Sequence, residues 1–343
     1  MTILFKMPIL TSQTNSVRAA SGTWQPLIKS AIRDARSLLS ALNLPADVEI
    51  AQAAEAFPIF VPIPFLERME RGNLNDPLLR QVLPFPDEDQ SPARFSEDPL
   101  GETAATVTAG LLQKYHGRVL LITTGACAVH CRYCFRRHFP YSESPKSLDQ
   151  WSDALAAIER DTSVEEVILS GGDPLMLVDE TLSQLVQRID SIEHVRRIRF
   201  HSRLPIMIPQ RINKALISLL QSLSSQLVFV IHSNHANEFD TGVDAAILKL
   251  RQCNVTMLNQ TVLLRRINDD AETMIQLSQR LLMAGVLPYY LHQLDPITGT
   301  SHFEVAADVG RQIIERMRSQ LPGYAVPRYV KELAGETGKT VWA

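Results

Sequence analysis

The sequence contains little cysteine and no long uncharged apolar run. Its 343 residues include four cysteines, three of them between positions 127 and 134, which does not suit a disulfide framework. No apolar stretch reaches the roughly 18 residues that a membrane-spanning helix needs. Lys6 and Pro8 interrupt the apolar start of the chain, so it lacks the core of a secretory signal. We therefore expect a cytoplasmic protein in a reducing compartment.

An excess of charge of one sign is also absent. The formal net charge is −3 at pH 7, which gives no electrostatic reason to expect nucleic acid or an anionic membrane as a partner. Hydrophobic residues make up 45% and charged residues 21%, which excludes a disordered or fibrous chain. The length suits one barrel-sized domain with a smaller appendage. A small-molecule substrate is the expectation.

Short β-rich runs alternate with amphipathic stretches from residue 119 onward. This pattern predicts an α/β fold with repeated βα units around a parallel sheet, and six units predict an incomplete barrel. We expect an N-terminal helical region over 1–110, with a helix at 25–42, the barrel over 111–325 and a C-terminal segment over 326–343. The predicted strands are 119–124, 164–170, 195–202, 226–233, 254–264 and 287–294, and the predicted helices include 148–160 and 179–192.

Polar side chains cluster where nearly every predicted strand ends. In parallel barrels this end of the strands carries the active site. One such cluster alone would be ordinary loop polarity, but six on one rim predict a catalytic site. The clusters are Cys127 to Cys134, Gly171 to Pro174, His201 to Arg203, His232 to His235, Asn259 with Gln260, and His292 to Asp295.

The first cluster contains a possible metal centre. Cys127, Cys131 and Cys134 lie in one loop, close enough in sequence to bind one centre. Iron–sulfur clusters are usually held by four cysteines, so three would leave one iron of a 4Fe–4S cluster for an outside ligand, such as the amino-acid group of S-adenosylmethionine. A zinc site of the Cys3His type that uses His130 is the alternative. Cys253 is expected to be a buried helix residue.

The spacing CxxxCxxC, with Tyr133 before the last cysteine, resembles the motif of the radical S-adenosylmethionine (SAM) superfamily. The stretch from Lys114 to Arg137, with SGGDPL, RLPIMIPQRI, NQTVLLRRIND and YLHQLDPITGTSHF after it, is similar to lysine 2,3-aminomutases. Among these it looks closest to the shorter members that make (R)-β-lysine for elongation factor P. The resemblance implies a partial (β/α)6 TIM-like radical SAM barrel with a short C-terminal tail. It also implies an isomerase, an intramolecular aminotransferase that converts (S)-α-lysine to (R)-β-lysine.

The resemblance implies three cofactors, a 4Fe–4S cluster, S-adenosylmethionine and pyridoxal 5′-phosphate, and a role for each matching residue. In such enzymes the reduced cluster cleaves S-adenosylmethionine to a radical that removes hydrogen from lysine held on pyridoxal phosphate. The implied residues are Cys127, Cys131 and Cys134 for the cluster; Gly171, Gly172, Asp173, Arg203 and His232 for S-adenosylmethionine; Lys339 as the catalytic Schiff-base lysine, with Lys114, Tyr115 and Arg118 at the phosphate; and Arg136 for the substrate carboxylate, with Asp295 and Glu332 for its distal ammonium.

Two positions depart from the family pattern. Lys114 stands where arginine is usual, so a point charge replaces a bidentate fork. Glu332 stands where the free-lysine mutases have aspartate, and the extra methylene is expected to lower activity on free lysine. Lys339 lies in a stretch that superficially resembles the end of a phosphate-binding P-loop, but Leu333 occupies the position that needs glycine.

The expected partners are L-lysine, elongation factor P with its lysyl ligase, and an electron donor such as a flavodoxin. The sequence ends four residues after Lys339 and lacks the C-terminal extension of catabolic mutases, which favours the elongation factor role. Two alternatives remain open. One is a catabolic aminomutase acting on lysine or on another amino acid such as glutamate, and the other is a non-catalytic zinc-binding scaffold. The oligomeric state is not predicted.

Overall fold

The predicted strands form the centre of one ten-stranded sheet whose spatial order follows the order of the chain. The structure is a computed structural model that describes residues 23–141, 145 and 147–343. The strands are β1 (Thr106–Thr108), β2 (Leu111–Tyr115), β3 (Arg118–Thr124), β4 (Glu166–Gly171), β5 (Arg197–Ser202), β6 (Gln226–His232), β7 (Thr256–Val262), β8 (Leu287–His292), β9 (Arg328–Lys331) and β10 (Thr340–Val341).

The six predicted strands are confirmed as β3 to β8, and all of them pair in parallel. The sheet continues with β9, a further parallel strand that the sequence analysis did not predict. Antiparallel strands flank this parallel core, with β1 and β2 at one edge and β10 at the other. Within the described residues no pairing joins the two edges, so the barrel is open, as predicted.

The helices cover the outside of the sheet. Buried leucine, isoleucine and valine side chains on the inner faces of the helices pack against the strands, which is typical of a parallel sheet buried on both faces. The helices are α1 (Gln25–Lys29), α2 (Ala35–Ala41), α3 (Ile63–Leu66), α4 (Ser152–Arg160), α5 (Asp179–Asp190), α6 (Leu204–Met207), α7 (Lys214–Ser222), α8 (Thr241–Arg251), α9 (Ala271–Ala284) and α10 (Ala307–Gln320).

Side-chain caps fix where the outer helices begin. Asn213, Asp240 and Asp270 each accept a hydrogen bond from the backbone amide three residues later, at the starts of α7, α8 and α9. The last of these helices ends at Gly285, whose φ of 75° is the left-handed conformation that glycine adopts without strain. These local signals fix where three of the outer helices start and where α9 ends.

The N-terminal layer, residues 23–110, is less helical than the sequence suggested. The single helix predicted at 25–42 is wrong, because α1 ends at Lys29 and α2 starts at Ala35. Asp34 explains the break, since its extended backbone and its acceptance of the Ser37 amide at 2.8 Å make it the cap of a new helix. Leu38, Val61 and Phe65 of this layer belong to the same buried core as the side chains of the barrel strands.

Two further observations concern the expectations about a secretory signal and a membrane-spanning helix. The early residues Lys6 and Pro8, on which the expectation of no secretory signal rests, lie outside the described residues. In the described part of the chain, no helix is both long and apolar enough to cross a lipid bilayer.

Candidate active site

All residues singled out for the chemistry line one cavity. It has a volume of about 300 Å³ and lies where β3 to β9 end, as expected for a barrel enzyme. Some members of the strand-end clusters do not line it; Asn259, for example, bonds through its amide to the Ser233 backbone instead. The predicted residues in the wall are Cys127, Cys131, Cys134, Gly171, Gly172, Asp173, Arg203, His232, Lys339, Lys114, Tyr115, Arg118, Arg136, Asp295 and Glu332.

The N-terminal layer holds the cysteine loop in place. The backbone amide of His130 donates to the carbonyl of Phe60 at 3.0 Å, and that of Arg132 donates to the carbonyl of Gln81 at 2.9 Å. Burial raises the pKa of the Cys127 thiol well above its usual value and that of Cys134 to about 11. Protonated thiols of this kind need a bound cation before they become thiolate ligands.

A buried ion cluster reinforces the same loop. Glu88, from the N-terminal layer, accepts from Arg132 Nε at 2.9 Å and from Arg137 Nη2 at 2.6 Å. The side chains of Glu88 and Arg132 are fully buried, so removing either partner would leave an uncompensated charge, a change that costs about 3–5 kcal/mol. No sequence motif pointed to Glu88, because its partners lie more than 40 residues away.

His130 is occupied by structural contacts. Its Nδ1 lies 2.7 Å from the carbonyl oxygen of Pro58, and its ring stacks on Phe57 with centroids 5.0 Å apart. Across the described ranges, no group of three or more His, Cys, Asp or Glu side chains is arranged to hold one metal ion. A single zinc ion would need its thiolates to converge at about 2.3 Å from one point. The geometry therefore does not fit the Cys3His zinc site.

The glycine loop after β4 is joined to the cysteine loop. The amide of Gly172 donates to the carbonyl of Thr124 at 2.7 Å, and that of Asp173 donates to the carbonyl of Ala126 at 2.8 Å. A Cβ on Gly172 would lie 2.3 Å from the Ala126 carbonyl oxygen. Glycine is therefore required here for the close approach of two backbone segments, while Gly171 and Gly172 also line the cavity, where the resemblance places S-adenosylmethionine.

The Asp173 carboxylate accepts hydrogen bonds from four groups of the protein itself. It accepts from Ser202 Oγ at 2.8 Å and from the amides of Leu175, Arg203 and Leu204 at 2.8–3.0 Å. Burial nevertheless raises its pKa. Asp173 thus ties the ends of β4 and β5 together, and any ligand contact of this loop falls to its backbone.

Arg203 has partners that the resemblance did not suggest. Its Nη1 lies 2.7 Å from the sulfur of Cys131, and its Nη2 donates to Gln81 Oε1 at 2.6 Å. Glu238 supplies the counter-charge, with Oε2 3.2 Å from Nη2. The guanidinium is therefore fixed against the cysteine loop.

Two histidines in the cavity wall have unpaired ring nitrogens. Nε2 of His201 and Nε2 of His232 are buried, and neither has a hydrogen-bond partner. The rings meet edge to face with centroids 5.7 Å apart. Burial lowers the pKa of His232 to about 4 and that of His201 well below its usual value, so both are neutral near pH 7 and can accept or donate one hydrogen bond to a ligand.

A row of alternating charges crosses the other side of the cavity, and we call it the charge row: Lys339, Glu332, Lys114, Glu102, Arg136. Lys339 Nζ pairs with Glu332 Oε2, and Lys114 Nζ lies 2.8 Å from Glu332 Oε1 and 3.6 Å from Glu102 Oε1. Glu102 also binds Arg136 in a bidentate pair at 2.7 and 2.8 Å. The sequence analysis missed Glu102, which lies in an irregular loop before β1 and belongs to no motif.

The carboxylates of this region differ in protonation. Burial acts to raise the pKa of Glu332, but Lys339 and Lys114 outweigh it and lower the pKa to about 2. Burial, with the nearby Glu332, raises the pKa of Asp295 to about 7, and its Oδ1 is buried without a partner. Asp295 is therefore partly protonated near neutral pH and would ionise when a cation binds.

Comparison with known proteins agrees with this arrangement. Residues 121–223 match the Radical SAM superfamily. The L-lysine 2,3-aminomutase of Escherichia coli is 46% identical over 320 residues, which cover 92% of this chain and 93% of that protein. The chain belongs to the L-lysine 2,3-aminomutase family. It is thus an enzyme of the isomerase class, and the alternative of a non-catalytic zinc scaffold is wrong.

Other relatives extend the same family. The L-lysine 2,3-aminomutase of Haemophilus influenzae is 44% identical over 345 residues and covers 100% of both chains, and that of Clostridium subterminale is 33% identical over 92% of this chain and 77% of that protein. Among solved structures, a radical SAM methyltransferase from Sphaerobacter thermophilus superposes with a TM-score of 0.47 at 17% identity, covering 64% of this chain and 68% of the other. Family membership implies the three predicted cofactors, a 4Fe–4S cluster, S-adenosylmethionine and pyridoxal phosphate.

Proposed function

We propose that the chain converts (S)-α-lysine to (R)-β-lysine, with pyridoxal phosphate and S-adenosylmethionine as cofactors. One observation carries the proposal. A single cavity brings the three cysteines on one side together with Lys339, Arg136 and two carboxylates on the other. A free-standing cluster site would have no use for the second group of side chains.

The donor set fits a 4Fe–4S cluster with one open iron. The described cysteines form no disulfide, and three of them line the cavity. When bound, the cluster and S-adenosylmethionine supply a radical that can remove an unactivated hydrogen. The chain's own contribution is position, since the N-terminal layer fixes the cysteine loop and the glycine loop packs directly behind it.

The opposite wall fits pyridoxal phosphate. Arg118 Nε is buried without a partner, and its guanidinium lies 4.7 Å from the centre of the Tyr115 ring, beside the Lys114 strand. A buried N–H donor without a partner, on a guanidinium group, suits a phosphate oxygen. Lys339 would bind the aldehyde carbon of pyridoxal phosphate. Its side chain is only 19% exposed, so this position is largely shielded from water. When bound, pyridoxal phosphate stabilises a radical by delocalising it over its ring.

The remaining charged groups match the two ends of lysine. Arg136, 6% exposed, would bind the substrate carboxylate through Nη1, because Glu102 already occupies Nε and Nη2. Asp295 and Glu332 would bind the distal ammonium, and Asp295 would lose its proton as that cation arrives. Glutamate would place a carboxylate against these two acids, so the charges favour lysine over an acidic substrate.

The test of this proposal is a turnover assay on the anaerobically reconstituted chain with dithionite, S-adenosylmethionine and pyridoxal phosphate. L-lysine should yield β-lysine, detected by chiral chromatography, and L-glutamate assayed in parallel should yield no β-amino acid. Turnover of glutamate, or loss of the lysine substrate without β-lysine, would exclude the assignment.

We further propose that the product serves β-lysylation of elongation factor P by its lysyl ligase in the cytoplasm, with an electron donor such as a flavodoxin. Glu332 supports this role, because its longer side chain is expected to slow turnover of free lysine, and modifying one translation factor needs little flux. Lysine catabolism is the alternative.

A deletion strain tests the biological role. Mass spectrometry of elongation factor P should show loss of the β-lysyl group in the deletion strain and its return when the active chain is expressed. A Cys134→Ala variant, which cannot complete the cluster site, is the matched control and should not restore it. An unchanged modification in the deletion strain would remove this role and leave the aminomutase chemistry intact.

A further inference from the structure

Arg203 is held more tightly than a ligand-binding arginine needs to be. Its guanidinium contacts three elements at once: Cys131 in the cysteine loop, Gln81 in the N-terminal layer and Glu238 after β6. Its backbone amide donates to Asp173 Oδ2 at 2.8 Å. The residue is only 8% exposed. These contacts fix both Nη groups of the guanidinium, and its Nε is buried without a hydrogen-bond partner.

The partners of Arg203 are fixed as well. Gln81 Nε2 donates to Glu238 Oε1 at 3.1 Å, so the amide oxygen of Gln81 is turned toward the arginine. That oxygen also accepts from Asn234 Nδ2 at 3.0 Å. The Tyr133 ring lies on the face of the guanidinium, 5.6 Å from its centre. The network thus aims one N–H group, that of Nη1, at the sulfur of Cys131.

We infer that Arg203 donates a hydrogen bond to the Cys131 sulfur and thereby raises the reduction potential of the cluster that this sulfur binds. The inference rests on the proposed cluster site. Hydrogen bonds to the ligand sulfurs are one of the factors that set iron–sulfur potentials, because they stabilise the more negative, reduced form. This role is distinct from the contact with S-adenosylmethionine that the family resemblance implies for Arg203.

Glu238 makes the effect local. Its carboxylate is fully buried and offsets the positive charge of the Arg203 guanidinium. The potential of the cluster therefore depends on the N–H group aimed at the Cys131 sulfur more than on the net charge of the Arg203–Glu238 pair. Gln81 is a positioning residue for the same group. Since it comes from the N-terminal layer, this layer would act on the cluster chemistry through Gln81 as well as through the backbone contacts of the cysteine loop.

The experiment compares midpoint potentials of the anaerobically reconstituted full chain in redox titrations followed by electron paramagnetic resonance. Arg203→Gln should lower the potential so that the ratio of reduced to oxidised cluster at a fixed potential falls about tenfold, or about 59 mV for one electron. Arg203→Lys should recover part of the shift, because an ammonium can donate to sulfur but cannot hold Gln81 and Glu238 with the same fork.

Arg199→Gln is the matched control. Arg199 lies on β5, which ends just before Arg203, and it lines the same cavity. It pairs with Glu166 at 2.5 Å, and none of its hydrogen bonds or ion pairs within the described residues involves a cysteine. It should change the potential much less than Arg203→Gln does. An equal shift in the two variants would show a general charge effect and overturn the inference.

Two other outcomes decide the matter. An unchanged potential in Arg203→Gln, with weaker binding of S-adenosylmethionine in equilibrium dialysis, would return Arg203 to its ligand-binding role. If Arg203→Gln binds no iron, Gln81→Met is titrated instead, and it should lower the potential in the same direction because it frees the guanidinium. No shift in Gln81→Met would then overturn the inference. A wild-type chain without iron would contradict the proposed function itself.

Discussion

Replacing Cys127 with alanine should abolish the cluster. The three thiols line one cavity, and with one removed only two protein ligands remain for a cluster that already has an open iron. We expect iron to fall from about four atoms per chain to near zero, and cleavage of S-adenosylmethionine to fall by at least about a thousandfold, because the cofactor carries this chemistry. Iron analysis, the absorption spectrum and 5′-deoxyadenosine formation measure the three effects.

Cys253→Ala is the control for this variant. The Cys253 thiol is buried just after α8, where its sulfur contacts the Lys249 carbonyl oxygen at 3.4 Å, as expected for a packing residue. It should keep full iron content. A colourless wild-type protein that carries one zinc per chain would contradict the cluster assignment for all three cavity cysteines.

Replacing Lys339 with methionine should prevent covalent capture of pyridoxal phosphate. Methionine keeps most of the length of the side chain but has no amine to form a Schiff base. The wild-type chain treated with borohydride should carry the pyridoxyl group on Lys339 in peptide mapping, and the variant should carry none. We expect aminomutase activity to fall at least about a thousandfold, since the substrate would no longer be presented through this lysine.

Lys331→Met is the matched control. Lys331 lies on β9, and its ammonium is 5.4 Å from the centre of the Trp342 ring. It does not line the cavity, so its replacement should leave borohydride labelling in place. A pyridoxyl group found on Lys114, which shares Glu332 with Lys339, would show that the wrong lysine was assigned.

Much of the framework could be predicted because its signals are local in the chain. The alternation of β-rich and amphipathic runs gave the six strands β3 to β8, and strand ends in a parallel barrel meet on one rim whatever the details of packing. The cysteine spacing and the glycine loop are likewise short patterns. These features explain why the cysteines, the glycine loop and the strand-end histidines lie in one cavity. The other residues of the site, such as Lys114 and Lys339, were assigned from the resemblance to lysine 2,3-aminomutases, and they line the same cavity.

The rest depends on contacts between distant residues. Strand β9 has only four residues, too few for a periodic pattern. Glu102 and Glu88 carry no motif, and their importance appears only when Arg136 and Arg132 fold against them. Arg203 could be placed on the rim from sequence, but its partner Gln81 lies 122 residues away. Sequence separation of this size hides a contact from any local pattern.

The two edges of the sheet do not pair with each other in the described residues, and this opening in the barrel also affects the expected order of folding. The ion pair of Lys114, on β2, with Glu332, just after β9, joins the two sides of the open sheet, and its partners are 218 residues apart. Closing so long a loop costs chain entropy that is recovered only after the strands between have assembled. We therefore expect the cysteine loop to reach its native arrangement before the wall with Lys339 does. A nascent chain would then be competent to bind iron while still unable to bind pyridoxal phosphate.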